Sequence, residues 1–395
     1  MRHTRMVLEK WRRHIPENRR IRKSLTDLRI RLFERHLMPD RWVEPAENDA
    51  IRKRRAVARR ENRHPRAAAG LKRQIGLLCG RNPDVRAVLQ ADPDCLTDLK
   101  FHGYAYGFLP FEYICYGFRS KTREERKSFV SDLERNIIIY RMNDIRAISL
   151  FADKGNAYEL LKEFYGRECL AVEGKTDYQA FRAFAEKHPV LVKKPAVSEK
   201  GRAVERMDLS SGPGPDRRAF ERLIRDGKQI LEEPIVQSRE MAAFNASSVN
   251  TVRCATILTR QGPEILFCGL TAGRAGSFVN NGGAGGILAG IDPETGILNT
   301  GGVDEYCFRY EAHPDSGVPF AGYRIPDWNG MLRTCREASL LAGRAGCRYA
   351  GWDMAHTENR GWVIVEGNGG GQLIGAQIAS RYGIRETVES LLQRL

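Results

Sequence analysis

The stretch GWDMAHTENRGWVIVEGNGG, Gly351 to Gly370, constrains the fold more than any other. Trp352, Met354 and Trp362–Val365 have strand character, and Glu358–Gly361 is turn chemistry. The segment therefore predicts a β-hairpin that reverses near Asn359 and Arg360. Asp353 then lies opposite Glu366, and Glu366 shares a face with Asn368, because residues two apart on a strand point the same way. Three oxygen-bearing side chains converge on one patch. Two are carboxylates, whose mutual repulsion a hard divalent cation would relieve. Mg²⁺ takes a few carboxylate or carbonyl oxygens and completes its shell with water and substrate phosphates. A second reading stands beside this one: antiparallel sheets often have one wet face, and the three residues are simply its polar positions.

The chain of 395 residues is long enough for two or three domains, and its hydrophobic content of 42% is that of a globular protein. No uninterrupted apolar run is long enough to span a bilayer. The first residues, MRHTRMVLEKWRRH, carry charge where a signal peptide needs an apolar centre. The nine cysteines form no CxxC pair and are irregularly spaced, which predicts neither a disulfide framework nor a zinc site, but reduced thiols in the cytoplasm. The net charge of +15 is uneven: residues 1–66 hold 21 Lys+Arg against 9 Asp+Glu, an excess of +12. Such an arm reads either as a solvated helical extension or as a contact for an anionic surface, with peripheral attachment to a membrane as one form of the latter. It lacks the interleaved Gly and aromatic residues of RNA-binding modules, which sets nucleic acid aside.

Three regions follow from the grammar of the chain. Residues 1–66 are the basic helical arm, with a helix over 23–37 broken by Pro39. Residues 67–150 read as a mostly helical domain, and their aromatic block FHGYAYGFLPFEYICYGF reads as packing. From 151 to 395 short β-type runs alternate with helices, which predicts an α+β domain. It divides into a first subdomain, 151–231, and a second, 232–395, that carries the hairpin. Helices fit at 178–187, 217–226 and 328–345, and a short one closes the chain.

Two further segments carry candidate ligand chemistry. In VLVKKPAVSEKGRAVERMD a strand delivers Lys194 just before Pro195, and a polar loop with Gly201 leads to a second strand. A lysine is a compact point charge suited to phosphate, and a loop can fold its N–H groups over phosphate oxygens. Lys193 is the alternative, and a plain hairpin with a surface lysine is the simpler reading. In QILEEPIVQ an extended hinge with Glu232 and Glu233 could present backbone groups to an adenine; its simpler reading is an edge strand with solvated acids.

In sequence order these pieces resemble the ATP-grasp fold. The order is Asp153–Lys154 opening a helix, strand–Lys194–Pro195–glycine loop, the LEEPI hinge, a strand arginine, and Asp353 followed by Glu366-x-Asn368. The last part is similar to the metal-binding end of D-alanine–D-alanine ligases. SVNT-x-R, HP-x-S-G at His313–Gly317, IP-x-W at Ile325–Trp328 and GWD at Gly351–Asp353 resemble the sugar-transfer-associated ATP-grasp group, related to glutathione synthetase and the ribosomal-protein glutamate ligases. The resemblance covers roughly residues 95–380.

It implies two α+β subdomains clasping ATP, with Mg²⁺ (two ions; Mn²⁺ as an alternative) on Asp353, Glu366 and Asn368. Lys154, Lys194, Gly201, Glu232, Glu233 and Ile235 would bind the nucleotide, and Glu240 is the candidate for the ribose. Arg253, Arg274 and Asn281 would act on the reacting carboxylate and its oxyanion. D-alanine–D-alanine ligases carry an arginine two residues before the aspartate; here Gly351 stands there, so Arg253 and Arg274 must supply that charge. His313, beside Pro314, reads as a turn histidine rather than a general base. The implied activity is a carboxylate–amine ligase acting through an acyl phosphate on a small-molecule or saccharide carboxylate and an amine acceptor, in polysaccharide or natural-product biosynthesis. A phosphotransferase, and a nucleic-acid- or membrane-binding protein with a secondary nucleotide site, are the alternatives.

Overall fold

The computed structural model describes residues 19–34, 50–197, 203–210, 215–278, 280 and 285–395. Its α+β class agrees with the sequence. The N-terminal part is helical, with Arg19–Glu34, Ala50–Arg63, Pro65–Arg81, Pro83–Ala91, Pro93–Tyr106, Pro110–Cys115 and Asp132–Met142 as its main helices. Prolines at the first helical turn mark several starts, where a missing N–H costs nothing. Asn82 and Asp92 each end one helix and cap the next through the side-chain oxygen. The aromatic block packs as expected: Phe101, Tyr104, Tyr106, Phe108, Tyr113, Tyr116 and Phe118 are buried in one cluster.

Two antiparallel sheets follow. The smaller contains β1 (Cys169–Val172), β2 (Val190–Pro195), β3 (Glu205–Asp208) and β4 (Gln229–Glu232), in the order β1-β4-β2-β3. Helices Tyr178–Lys187 and Arg217–Ile224 cover one face, burying Phe181, Phe220 and Leu223 against Leu191 and Leu231. The register places Lys194, Ile230 and Glu232 on the other face.

The larger sheet contains β5 (Thr251–Thr259), β6 (Gly262–Ala272), β7 (Ile287–Ile291), β8 (Leu298–Val303), β9 (Arg309–Tyr310), β10 (Tyr349–Thr357) and β11 (Gly361–Asn368), in the order β11-β10-β5-β6-β7-β8-β9. Helices Trp328–Arg344 and Lys154–Tyr165 pack behind it on Val252, Cys254, Trp352, Met354 and Ile364. The Lys154–Tyr165 helix falls in the first subdomain by sequence, yet its Ala157, Leu161 and Tyr165 lie in the core of the larger sheet.

One expectation is corrected. Cys115 and Cys307, 192 residues apart, form a disulfide, so the thiols are not all reduced. Linear spacing could not reveal a pair that only the tertiary fold brings together. The other seven cysteines are free, five of them buried.

Candidate active site

The hairpin forms as read, with Asp353 paired to Glu366 and Gly351 to Asn368. Trp352 and Met354 point into the core behind the sheet, so alternation sends Asp353 to the front. A register shift between Asp353 and Met354 marks a bulge, a device that re-aims side chains beside functional sites. On the other side of β10, Asp353 pairs with Arg253, which pairs in turn with Gly269. Glu366, Asp353, Arg253 and Gly269 thus form one row across four adjacent strands.

Arg253 grips Asp353 through both ends of its guanidinium, Nε to Oδ1 at 2.6 Å and Nη2 to Oδ2 at 2.9 Å. Asn368 Nδ2 lies 3.3 Å from Asp353 Oδ2. Burial raises the Asp353 carboxyl and the charge of Glu366 adds to it, against the pull of Arg253. Gly351 has a reason in this geometry: a Cβ there would sit 3.2 Å from Arg253 Nη1. The space that a second arginine would need is already filled by Arg253.

Above this row the two sheets meet. Lys154 reaches Glu366 at 3.2 Å. Its helix is capped by Asp153, which accepts from Gly155 N and Asn156 N, and Lys228 holds that carboxylate in place. The backbone N–H of Lys154 donates to Ala196 O at the end of β2. Lys194 lies on the face that carries Glu232 and bonds its Oε2 at 2.8 Å. Lys193 lies on the opposite face and pairs with Glu205.

Arg167, which the sequence reading missed, joins the two sheets. Nε and Nη2 bond Glu232 Oε2 at 3.1 and 3.0 Å, while Nη1 reaches Ile364 O at 2.7 Å and Nη2 reaches Val365 O at 3.3 Å, both on β11. Burial pushes the Glu232 carboxyl up, but Arg167 and Lys194 outweigh it and hold it at about 2. Its only sequence signal is an arginine beside Gly166, a residue whose positive φ ends the preceding helix.

Other expected residues lie apart from this cluster. Arg274 is held by Asp315 through two contacts, 2.9 and 3.2 Å, at the edge of the His313–Gly317 turn. His313 is buried and its Nε2 bonds Gly273 O at 2.8 Å, the role of a turn histidine. Glu233 pairs with Arg360 at 2.9 Å, and Glu168 N donates to it at 3.3 Å. Ile235 lines a cleft of about 150 Å³ with Tyr165, Arg167, Glu233, Pro234 and Val363, between the hinge and the hairpin. Glu240 is exposed, and Ser238 hydrogen-bonds its carboxylate. Gly201 and Asn281 lie outside the described residues.

Two buried asparagines brace the site. Asn143 donates to Tyr349 O and Gly369 O and accepts from Tyr349 N, tying the start of β10 to the end of β11. Asn250 donates to Met241 O and Asn245 O and accepts from Gly273 N, fixing the end of β6.

The arrangement offers two carboxylates and an amide on one sheet face, with Arg253 on Asp353 and Lys154 on Glu366, while Lys194 bonds Glu232 nearby. The donors are oxygens, the set a hard cation takes, and the cations suit phosphate. Among the described residues no group of three or more His, Cys, Asp or Glu could hold a metal ion, and this face offers two carboxylates with the amide of Asn368 beside them.

Residues 210–393 match the model of the sugar-transfer associated ATP-grasp family. That match covers the C-terminal part of the chain, and this part is similar to ATP-grasp proteins. Solved structures with similarity to this chain include the ATP-grasp ligase PsnB complexed with a minimal precursor, at 14% identity, covering 64% of each chain with a TM-score of 0.41. The VanG D-Ala:D-Ser ligase from Enterococcus faecalis matches at 15% identity, over 64% of this chain and 63% of its own, with a TM-score of 0.40. The D-alanine–D-alanine ligase from Coxiella burnetii matches at 9% identity, over 63% and 59%, with a TM-score of 0.37. These matches span less than two thirds of the solved chains. No curated protein matches the chain in sequence. No helix among the described residues is long and apolar enough to cross a membrane.

Proposed function

We propose that the chain is an ATP-dependent carboxylate–amine ligase that works through an acyl phosphate and releases ADP. The observation that carries this reading is the row Glu366–Asp353–Arg253, faced by Lys154 and Lys194 where the two sheets meet. Each cation in it is paired with an acid. When nucleotide binds, Lys154 and Lys194 exchange Glu366 and Glu232 for phosphate oxygens, and Arg253 exchanges Asp353 for the substrate carboxylate. Glu366, Asp353 and Asn368 are then free to hold Mg²⁺, which when bound offsets charge on the transferring phosphoryl group. The base would lie along the Glu232–Ile235 backbone, beside the cleft lined by Val363. Asn281 and Gly201 are proposed for the oxyanion and the phosphate loop on their motifs alone. The amine then attacks the acyl carbon, and phosphate leaves. The matched family is described by its association with sugar transfer, which favours a saccharide or its precursor as one substrate.

The test supplies ATP and Mg²⁺ with panels of uronic acids, amino acids and peptides, and follows ADP by coupled assay and products by mass spectrometry. The expected result is ADP release that needs both an acid and an amine, with a new amide in the product. A phosphorylated product formed from one acceptor alone would make the enzyme a phosphotransferase. No ADP release together with no binding of Mg·ADP would overturn the reading.

A further inference from the structure

The Arg19–Glu34 helix has a solvent-facing apolar stripe on a helix that is otherwise tied to the body of the protein. Its inner side is anchored: Arg22 bonds both oxygens of Asp144 at 3.1 Å, Arg29 lies 5.1 Å over the Tyr140 ring, Phe33 packs on the same ring, and Arg141 reaches Glu34 at 3.3 Å. Its outer side carries Ile21, Leu25, Leu28 and Leu32, at spacings of four, three and four. Ile21, Leu28 and Leu32 are 48%, 49% and 44% exposed. At about 100° per residue these four positions fall in one narrow stripe. The same projection puts Arg20 and Arg31 along one border of the stripe and Arg22 and Arg29 along the other, with Asp27 farther round and Glu34 turned to Arg141.

We infer that this face seats the protein on an anionic lipid surface. Leucines and isoleucine would enter the boundary between headgroups and acyl chains, and the exposed Arg31 beside them would meet lipid phosphates, the arrangement of an interfacial amphipathic helix. Apolar spacing of this kind also suits a second helix. Two copies of this face would also bring two strongly basic arms together, which like-charge repulsion opposes and an anionic surface rewards. The same stretch of chain adds charge of the same sign: Arg55, Arg59 and Arg63 are exposed at i, i+4 and i+8 of the Ala50–Arg63 helix. Residues 1–66 hold 21 Lys+Arg against 9 Asp+Glu. The inference does not depend on the ligase reading.

The test is flotation of the full chain with vesicles of phosphatidylglycerol and phosphatidylcholine, and with phosphatidylcholine alone, at low and physiological salt. The full chain should float with the anionic vesicles only, less so as salt screens the charge. The double variant Leu28→Gln/Leu32→Gln changes exposed positions and should melt as the parent does. It should bind the anionic vesicles about tenfold less, since the apolar contribution is lost while every charge is kept. Equal binding by parent and double variant, or no binding by the parent at low salt, overturns the inference. So does a parent dimer that the double variant abolishes with vesicle binding unchanged.

Discussion

Arg167 and Lys194 share one carboxylate oxygen of Glu232, and that sharing sets what each residue can do. A buried acid between two cations stays ionised, and removing one cation leaves an unbalanced charge behind. Arg167→Ala should therefore cost about 3–5 kcal/mol of stability, read from denaturant melts. Arg167→Lys tests position rather than charge: a lysine keeps the charge but cannot bond Glu232 and the β11 carbonyls in one plane. If Arg167 aligns the two sheets around the nucleotide, the lysine variant should bind Mg·ADP about tenfold more weakly by calorimetry while remaining folded. Unchanged affinity would leave Arg167 a purely structural strut. The two lysines of β2 make a sharper comparison. Lys194→Ala should lower affinity for ATP by about tenfold or more, whereas Lys193, paired with Glu205 on the other face, lies in an ion pair worth about 1 kcal/mol or less. The reverse ranking would move the phosphate contact to Lys193. Sequence alone left that choice open because a lysine pair at a strand end has no visible face until the register is known. Arg167 was hidden for a related reason: its partners Glu232, Ile364 and Val365 are 65, 197 and 198 residues away.

At the scale of elements, the helix Pro110–Cys115 shows how a buried charge can govern a local start. Glu112 is fully buried, accepts from Leu109 N at 2.6 Å and from Tyr116 Oη at 3.1 Å, and closes the first turn. Burial, with the charge of Asp132 beside it, pushes its carboxyl up to about 8, although the backbone N–H groups pull the other way. A folded value raised above the unfolded one stabilises fully below the unfolded value, about 4.3, and that contribution is lost as pH rises through about 8. The melting temperature of the parent, less that of Glu112→Gln, should fall steadily from about pH 5 to pH 9. A constant difference would mean that Glu112 is ionised throughout. Elements with a strong period were legible: the helices at Tyr178–Lys187 and Trp328–Arg344 lie where their apolar spacing put them, and the hairpin paired Asp353 with Glu366 as read. Strands β7 and β8 were not, because glycine carries little strand signal and Gly290, Gly301 and Gly302 fall within them. The fold needs those glycines for close approach: a Cβ at Gly302 would lie 2.5 Å from Ile287 Cγ2, and one at Gly301 would lie 2.8 Å from Tyr310 O.

At the scale of the whole molecule, the helical N-terminal part braces the candidate site through Asn143 and is also fastened to the opposite edge of the larger sheet. Asn82 donates to Tyr306 O at 2.8 Å, Arg309 donates to Cys115 O at 3.2 Å, and Cys115 is bonded to Cys307 in the same turn between β8 and β9. The sequence separated these regions into an N-terminal helical domain and an ATP-grasp domain, and gave no sign of the bond between them. The covalent link closes a loop of 192 residues, and a loop that long restricts the unfolded chain strongly. Noncovalent contacts hold the same junction, so the folded state does not depend on the bond for its geometry. Its effect should then fall on stability more than on shape: Cys307→Ser should lose about 2–4 kcal/mol. Reductant should bring the parent's melting temperature down to that of the variant and leave the variant's unchanged. Peptide mapping without reductant should recover Cys115 and Cys307 in one linked species. Finding both as free thiols in protein prepared under oxidising conditions would remove the bond and return the cysteines to the reduced state that their spacing suggested. A linked species with no change in melting temperature would show that the contacts at Tyr306 and Arg309 already hold the junction by themselves.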